Sequence, residues 1–428
     1  MAVTFNLLPF VNGRLFADPP EETGGTVQDF QKLTVKELID ELADESEEGI
    51  GTHSTAWNVG FLASSDEPSF GGGILGSKRP NVSPVMRELV RRGTDALPEL
   101  ISHCNDGRMT KLVVSPFAGG MWHSDEYSPR FKDPLRRPPN VGTDPEMRRI
   151  GDVDHRFINK YTVRVGDLCY VAIGQIVNRR LNAVRYQPSG CLVINSPVET
   201  PPLADAVRQD WQDLSPESHR DSLSQDALVT GPAYLTISAM SRLIFYYPKD
   251  AESVAAKLLS RPLYDHGVVW DFIDNELTAV ESVEEAKVLI ANFRMQNGVP
   301  AAEMVPFWLH WIYWETSFKQ DAQFLQKKER AKKIFAELYP NYDPISPPFI
   351  NAATIDDLKE VVRSISKLKS QSLDKLVYQV FKEARHFKLK RPYDQASRGE
   401  LLTACRSRLI GKGHDDEFIE MLVPNESD

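Results

Sequence analysis

The stretch "SPVMRELVRRGTDALPELISHCNDGR", Ser83–Arg108, carries the clearest structural signal in this chain. Ser83 is a helix N-cap residue, and Pro84 takes the first helical position, where its missing N–H costs nothing. Met86, Leu89 and Val90 form an apolar stripe. Gly93 stops the helix, because glycine accepts the left-handed conformation at a helix end. Thr94 or Asp95 caps a second helix, in which Leu97, Leu100, Ile101 and Cys104 recur at helical spacing. Pro98 lies in its first turn, where proline is tolerated. Two amphipathic helices joined so tightly are expected to pack as an antiparallel hairpin.

Working outward, "LTVKELIDELADESEE" (Leu33–Glu48) reads as a short acidic helix. Thr34 and Glu37 have the spacing of a capping box, and Gly49 and Gly51 end the helix. On the other side, "DAESVAAKLLSRPLYD" and "SVEEAKVLIANFRMQNG" read as helices, the second ending at Gly298. A long helical pattern covers Ala302 to Tyr339, with Phe307, Trp311, Trp314 and Phe318 on one face, and a buried core stripe is their expected role. Pro340, Pro344, Pro347 and Pro348 break the pattern, and three basic helices are expected from Ile355 to about Leu409.

"RRGTDALPELISHCND" (Arg91–Asp106) resembles the second half of a HEAT-type repeat. "VRVGDLCYVAIGQIVNRR" (Val163–Arg180) resembles the same element, and "VTGPAYLTISAMSRLIFYYP" (Val229–Pro248) a third copy. Gly93, Gly166 and Gly231 stand 73 and 65 residues apart, near twice the ~40-residue unit of such arrays but not constant. "VGDLCYVAIGQIVNRRLNAVRYQPSG" also resembles an uncharacterised bacterial protein family that carries no known activity. The resemblance implies a mainly α fold. It would be an irregular HEAT-like array with a long proline-rich inserted loop and a small C-terminal helical domain. In such an array each helix pair gains its apolar cover from the next. A non-repetitive all-α domain built from the same hairpins is the alternative, and "CLVINSPV" (Cys191–Val198) reads as a possible strand that would make the fold mixed. The expected divisions are an acidic segment at 1–50, the helical domain at 51–340 with its loop at 115–157, and a basic helical domain with an acidic tail at 341–428.

Composition places the chain among ordinary globular proteins, with 41% hydrophobic and 26% charged residues. Its net charge of −10 argues against generic affinity for nucleic acid or anionic lipid. The charge is uneven. Asp18–Glu48 holds 11 acids and 2 bases, Asn351–Gly413 holds 14 bases and 7 acids, and His414–Asp428 holds 6 acids with no Lys or Arg. Cys104, Cys169, Cys191 and Cys405 form no C-x-x-C pair and read as free thiols of a reducing compartment. "MAVTFNLLPFVNGRLF" lacks the basic start of a signal peptide, and no apolar run is long enough to cross a bilayer. The cytoplasm is therefore the expected location, with no membrane partner.

The candidate sites are sparse. Gly71–Gly76 matches G-x-G-x-x-G, but the strand and helix that such a loop needs on either side are not indicated. No cofactor is expected. Ser115–Phe157 holds six prolines, four glycines and Trp122, Tyr127 and Phe131, and reads as an ordered excursion over the helices. It gathers His123, Asp125 and Glu126, then Asp152, Asp154 and His155. Imidazoles and carboxylates hold divalent metals and move protons, so His123, Asp125, Asp152, Asp154 and His155 are the candidate metal ligands. With His53 of "GTHSTAW", the residues His123, Asp125 and His155 are the candidate catalytic groups, although no H-e-x-x-H or G-x-S-x-G spacing accompanies them. Lys327, Lys328, Arg330, Lys332 and Lys333, and later Lys382, Arg385, Lys388, Lys390 and Arg391, offer charge to a nucleic acid, with Phe387 and Tyr393 interleaved. The leading expectation is a non-catalytic interaction scaffold for another protein. A metal-assisted hydrolase is second and nucleic-acid binding third.

Overall fold

The computed structural model describes residues 30–46, 61–63, 83–116, 120–130, 160–186, 191–228, 233–260, 266–297, 304–305, 308, 311–312, 322–339, 354–386 and 392–410. These residues are mainly α-helical, with five short strands. In chain order they form α1 (Val35–Glu41), α2 (Pro84–Arg91), α3 (Leu97–Ser102), β1 (Met109–Val114), β2 (Met121–His123) and β3 (Tyr161–Arg164). There follow α4 (Val165–Val177), β4 (Val184–Tyr186), β5 (Leu192–Ile194), α5 (Pro201–Trp211), α6 (Pro216–Leu228), α7 (Ala233–Tyr246) and α8 (Pro248–Leu259). The rest are α9 (His266–Phe272), which runs into a π-helical turn at Ile273–Leu277, α10 (Val283–Asn297), α11 (Ala322–Leu338), α12 (Thr354–Ser364), α13 (Gln371–His386) and α14 (Pro392–Ile410).

The local signals act as their chemistry dictates. The Thr34 hydroxyl accepts from Glu37 N at 3.2 Å, and Glu37 accepts from Thr34 N at 2.7 Å. Ser83 Oγ accepts from Met86 N at 3.2 Å. Gly93 follows α2 with φ +59°. The antiparallel hairpin expected for α2 and α3 takes a different form, because a 3-10 turn at Gly93–Ala96 intervenes and both helices pack on α4.

Helix α4 is the centre of the first core. Twelve of its 13 residues are buried, and Gln175 is half-buried. A helix apolar on every side has no solvent face and must be covered all round. Helices α2 and α3 supply part of that cover. The chain enters α4 from strand β3 rather than from a partner helix. β3 pairs antiparallel with β1, and β2, β5 and β4 form a second small sheet in that order, with β2–β5 parallel and β4–β5 antiparallel. The strand read from "CLVINSPV" is β5; β1, β2, β3 and β4 gave no sequence signal.

A second core joins Leu223, Ala239, Met240 and Leu243 to the C-terminal helices through Leu358, Val362, Leu373, Val377, Leu401 and Cys405. Thus α12 packs on α7, and α13 on α8. A third core gathers α9, α10 and α11 around Trp308 and Trp311. Cys104, Cys169 and Cys405 are buried free thiols, and Cys191 is half-buried. No described helix is long and apolar enough to cross a membrane. Gly231, the Gly71–Gly76 loop and the proline-rich boundary after Tyr339 lie outside the described residues, as does most of the 115–157 loop.

Gly93, Gly166 and Gly174 all stand at close approaches. A Cβ on Gly166 would stand 2.6 Å from Cys104 O and 2.9 Å from Asp106 N, both backbone atoms. A Cβ on Gly93 would meet the Tyr246 ring at 3.0 Å, on a backbone that L-residues resist. Gly166→Ala is therefore expected to cost about 1–3 kcal/mol of unfolding free energy, as overpacking does. Urea unfolding with an unchanged m-value measures it, and an unaltered midpoint would show that Gly166 is not held at a close approach.

Candidate functional site

Each end of α4 gathers buried polar side chains, and a separate buried ion pair, Arg408 with Asp374 at 2.8 Å, lies among the C-terminal helices. At the N-terminal end Asp167 is fully buried. Its carboxylate accepts from Tyr161 OH at 2.7 Å, Arg164 N at 2.9 Å and Ser196 Oγ at 2.5 Å. Ser196 Oγ in turn accepts from Val198 N at 3.2 Å and Glu199 N at 3.3 Å, shaping the turn into α5. One carboxylate therefore ties β3, α4 and the β5–α5 turn together. Burial pushes its pKa up to about 6, against the pull of its three hydrogen bonds, with Glu199 adding a further upward push.

On the surface above it lies a charged group. Glu199 Oε2 is 3.1 Å from His123 Nδ1, and Glu199 Oε1 is 3.8 Å from the Arg164 guanidinium. His123 comes from β2, Arg164 from the β3–α4 junction and Glu199 from the turn before α5. These three elements meet because Asp167 and its donors fix that turn. An imidazole beside a carboxylate is suited to holding or moving a proton, and Glu199 is the partner that sequence reading missed. No local spacing relates it to His123.

At the other end, each closing carbonyl of α4 finds a donor. Gly174 O accepts from Arg179 N at 3.0 Å, Gln175 O from Arg242 Nε at 2.5 Å and Ile176 O from His219 Nε2 at 3.0 Å. Asn178, left-handed at φ 58°, reverses the chain, and its own carbonyl accepts from the Arg179 guanidinium at 2.9 Å. Asp226 is the counter-ion of Arg179 and also accepts from Asn178 Nδ2 at 2.9 Å. The guanidinium of Arg179 lies 5.5 Å from the Trp211 ring, and that of Arg242 lies 4.7 Å from the Phe61 ring. Burial lowers the Arg242 pKa to about 10, still well above neutrality. Every member is committed to another, which marks a structural network.

The sequence candidates fare unevenly. His123 is exposed and engaged with Glu199. Asp125 is half-buried and in contact with other groups, and Glu126 pairs with Arg185 at 3.1 Å. His53, Asp152, Asp154 and His155 lie outside the described residues. Among the described residues no three His, Cys, Asp or Glu side chains come together as a metal-holding group. Trp311 is buried and donates from Nε1 to Asp274 at 2.8 Å, while Phe307, Trp314 and Phe318 fall outside the described residues. The basic residues divide between cores. Lys327 in α11 reaches Asp274 O at 2.9 Å, whereas Lys382 in α13 lies over the Tyr378 ring at 4.9 Å. Lys388, Lys390 and Arg391 are outside the described residues.

No family model, curated protein or solved structure matches this chain.

The raised pKa of Asp167 has a signed consequence. Between pH 3.8 and about 6 the folded carboxyl keeps a proton that the unfolded one releases. Its contribution is therefore complete below pH 3.8 and declines as pH rises through about 6. Asp167→Asn removes this titration. The stability difference between wild type and variant, from urea unfolding, is expected to be larger at pH 4 than at pH 7; a difference independent of pH would contradict the assignment.

Proposed function

We propose that the protein is a non-catalytic scaffold that binds another protein, with cytoplasmic residence and HEAT-like helix stacking as parts of the same reading. The observation that carries it is a set of large apolar side chains exposed on β1 of one small sheet and on β2 of the other. Met109 is 63% exposed, Val113 43% and Trp122 40%, on strands β1 and β2. In β1 the alternate residues Thr110, Leu112 and Val114 are buried, so the strand is anchored to the helical core and shows a fixed row to solvent. Tryptophan and methionine are enriched at the centres of protein interfaces. Arg179, Asp226, Asn178, Arg242 and His219 at the C-terminal end of α4 are engaged with one another or with backbone carbonyls, which supports a structural use of that chemistry.

A metal-assisted hydrolase is the second reading, favoured by the contact of His123 with Glu199. It would draw on Asp125, Asp152, Asp154 and His155 as well. Elemental analysis finding about one equivalent of zinc or manganese, lost in His123→Ala, would support this reading.

The scaffold reading is tested by Trp122→Ala and by Met109→Asp with Val113→Asp. Exposed substitutions of this kind are expected to change stability by no more than about 0.5 kcal/mol. Affinity for a partner isolated with the intact protein should fall at least tenfold, measured by calorimetry. Unchanged affinity in both variants would take these residues out of the proposal.

A further inference from the structure

One buried imidazole sits in the joint between the first and second cores, beside the Arg242–Gln175 and Arg179–Asp226 contacts that also cross it. His219, in α6, is 1% exposed. Its Nε2 faces Ile176 O at 3.0 Å and its Nδ1 faces Tyr247 OH at 3.0 Å. A carbonyl oxygen can only accept, so Nε2 carries the proton and Nδ1 accepts from the phenol. The ring therefore bridges the end of α4 to the start of α8 in its neutral form. The Tyr246 and Tyr247 rings close on it at 5.5 and 5.6 Å.

The charged groups around it come from every neighbouring element. Arg179 follows α4, Arg242 lies on α7, and Arg130 belongs to the segment after β2; all three disfavour a second proton on the ring. Asp226, further along α6, is the counter-ion of Arg179 and is also held by Asn178. Further out, Glu217 and Arg220 on α6, Asp250 on α8 and Asp95 before α3 act on Tyr247.

We propose that His219 is an acid-operated latch between the two cores: a proton on Nδ1 opens the joint between α4 and α6–α8. The protonated ring would be a further cation among three guanidiniums, and the Tyr247 hydroxyl would have to reverse from donor to acceptor. Burial, then these guanidiniums, hold the ring neutral down to about pH 4. The latch is therefore fully closed above about pH 6.5 and loses its contribution as pH falls towards 4. Because α12 packs on α7 and α13 on α8, the C-terminal helices would leave α4 together with α7 and α8.

His219→Gln tests this, since a carboxamide can donate to Ile176 O and accept from Tyr247 OH but takes no proton. Acid titration of the full chain is followed by tryptophan fluorescence, with hydrogen exchange of peptides covering 175–181 and 216–228. Wild type should deprotect both peptides together, and His219→Gln should shift that midpoint about one pH unit lower. Equal midpoints would overturn the latch. Where the variant is too unstable for titration, the ring nitrogens of wild type are read by NMR. A ring neutral at pH 5 that titrates with the opening supports the proposal, and a ring protonated at pH 6 in the closed protein overturns it.

Discussion

A helix buried at both ends must find partners for backbone groups that solvent would otherwise serve, and α4 is such a helix. Its side chains ask for apolar cover, but its termini present N–H and C=O groups that cost roughly 1–3 kcal/mol each when buried unpaired. The chain answers at both ends. Val165 N and Gly166 N donate to the carbonyls of Arg108 and Asp106 at 2.9 and 3.0 Å, and Arg164 N donates to Asp167. The closing carbonyls accept from Arg179, Arg242 and His219. A carboxylate at the N-terminus and guanidiniums at the C-terminus also match the direction of the helix dipole.

These termini connect the rest of the molecule. The groups that serve the N-terminal end come from the α3–β1 turn, from β3 and from the turn before α5, so they hold the small sheets against the core. The groups that serve the C-terminal end come from α6 and α7, so the second core is attached through the end of α4. The Tyr246 hydroxyl adds a bond to Val90 O, beside the site where Gly93 leaves room for its ring. A neutral, apolar joint could slide. One made of specific hydrogen bonds to the last turn of a helix has a single register. The exposed Met109 and Val113 on β1, and Trp122 on β2, therefore sit on a rigid base.

What was legible in the sequence was local. Thr34, Ser83 and Gly93 act within three or four residues of themselves, and their roles could be read from spacing. The helical nature of Val165–Val177 was legible because every position is apolar or small, apart from Asp167, Tyr170 and Gln175. Its entry from a strand was not, because "YTVR" is too short to show alternation. In β1 the exposed Met109 and Val113 are as apolar as the buried Leu112 and Val114, so no period of two appears. The donors that close α4 were invisible for a different reason. His219 and Arg242 reach it across 43 and 67 residues, and neither carries a local motif. His123 was singled out for its chemistry, but Glu199 and Asp167 become partners only through the fold.

The dependence of the structure on α4 is open to one direct measurement, native-state hydrogen exchange at pH 7 in low denaturant. The amides of Cys169–Val177 are predicted to exchange only through global unfolding, with an opening free energy equal to that of the whole first core. If those amides open before the amides of α2 and α3 do, α4 is not the element on which the others are built, and the account fails.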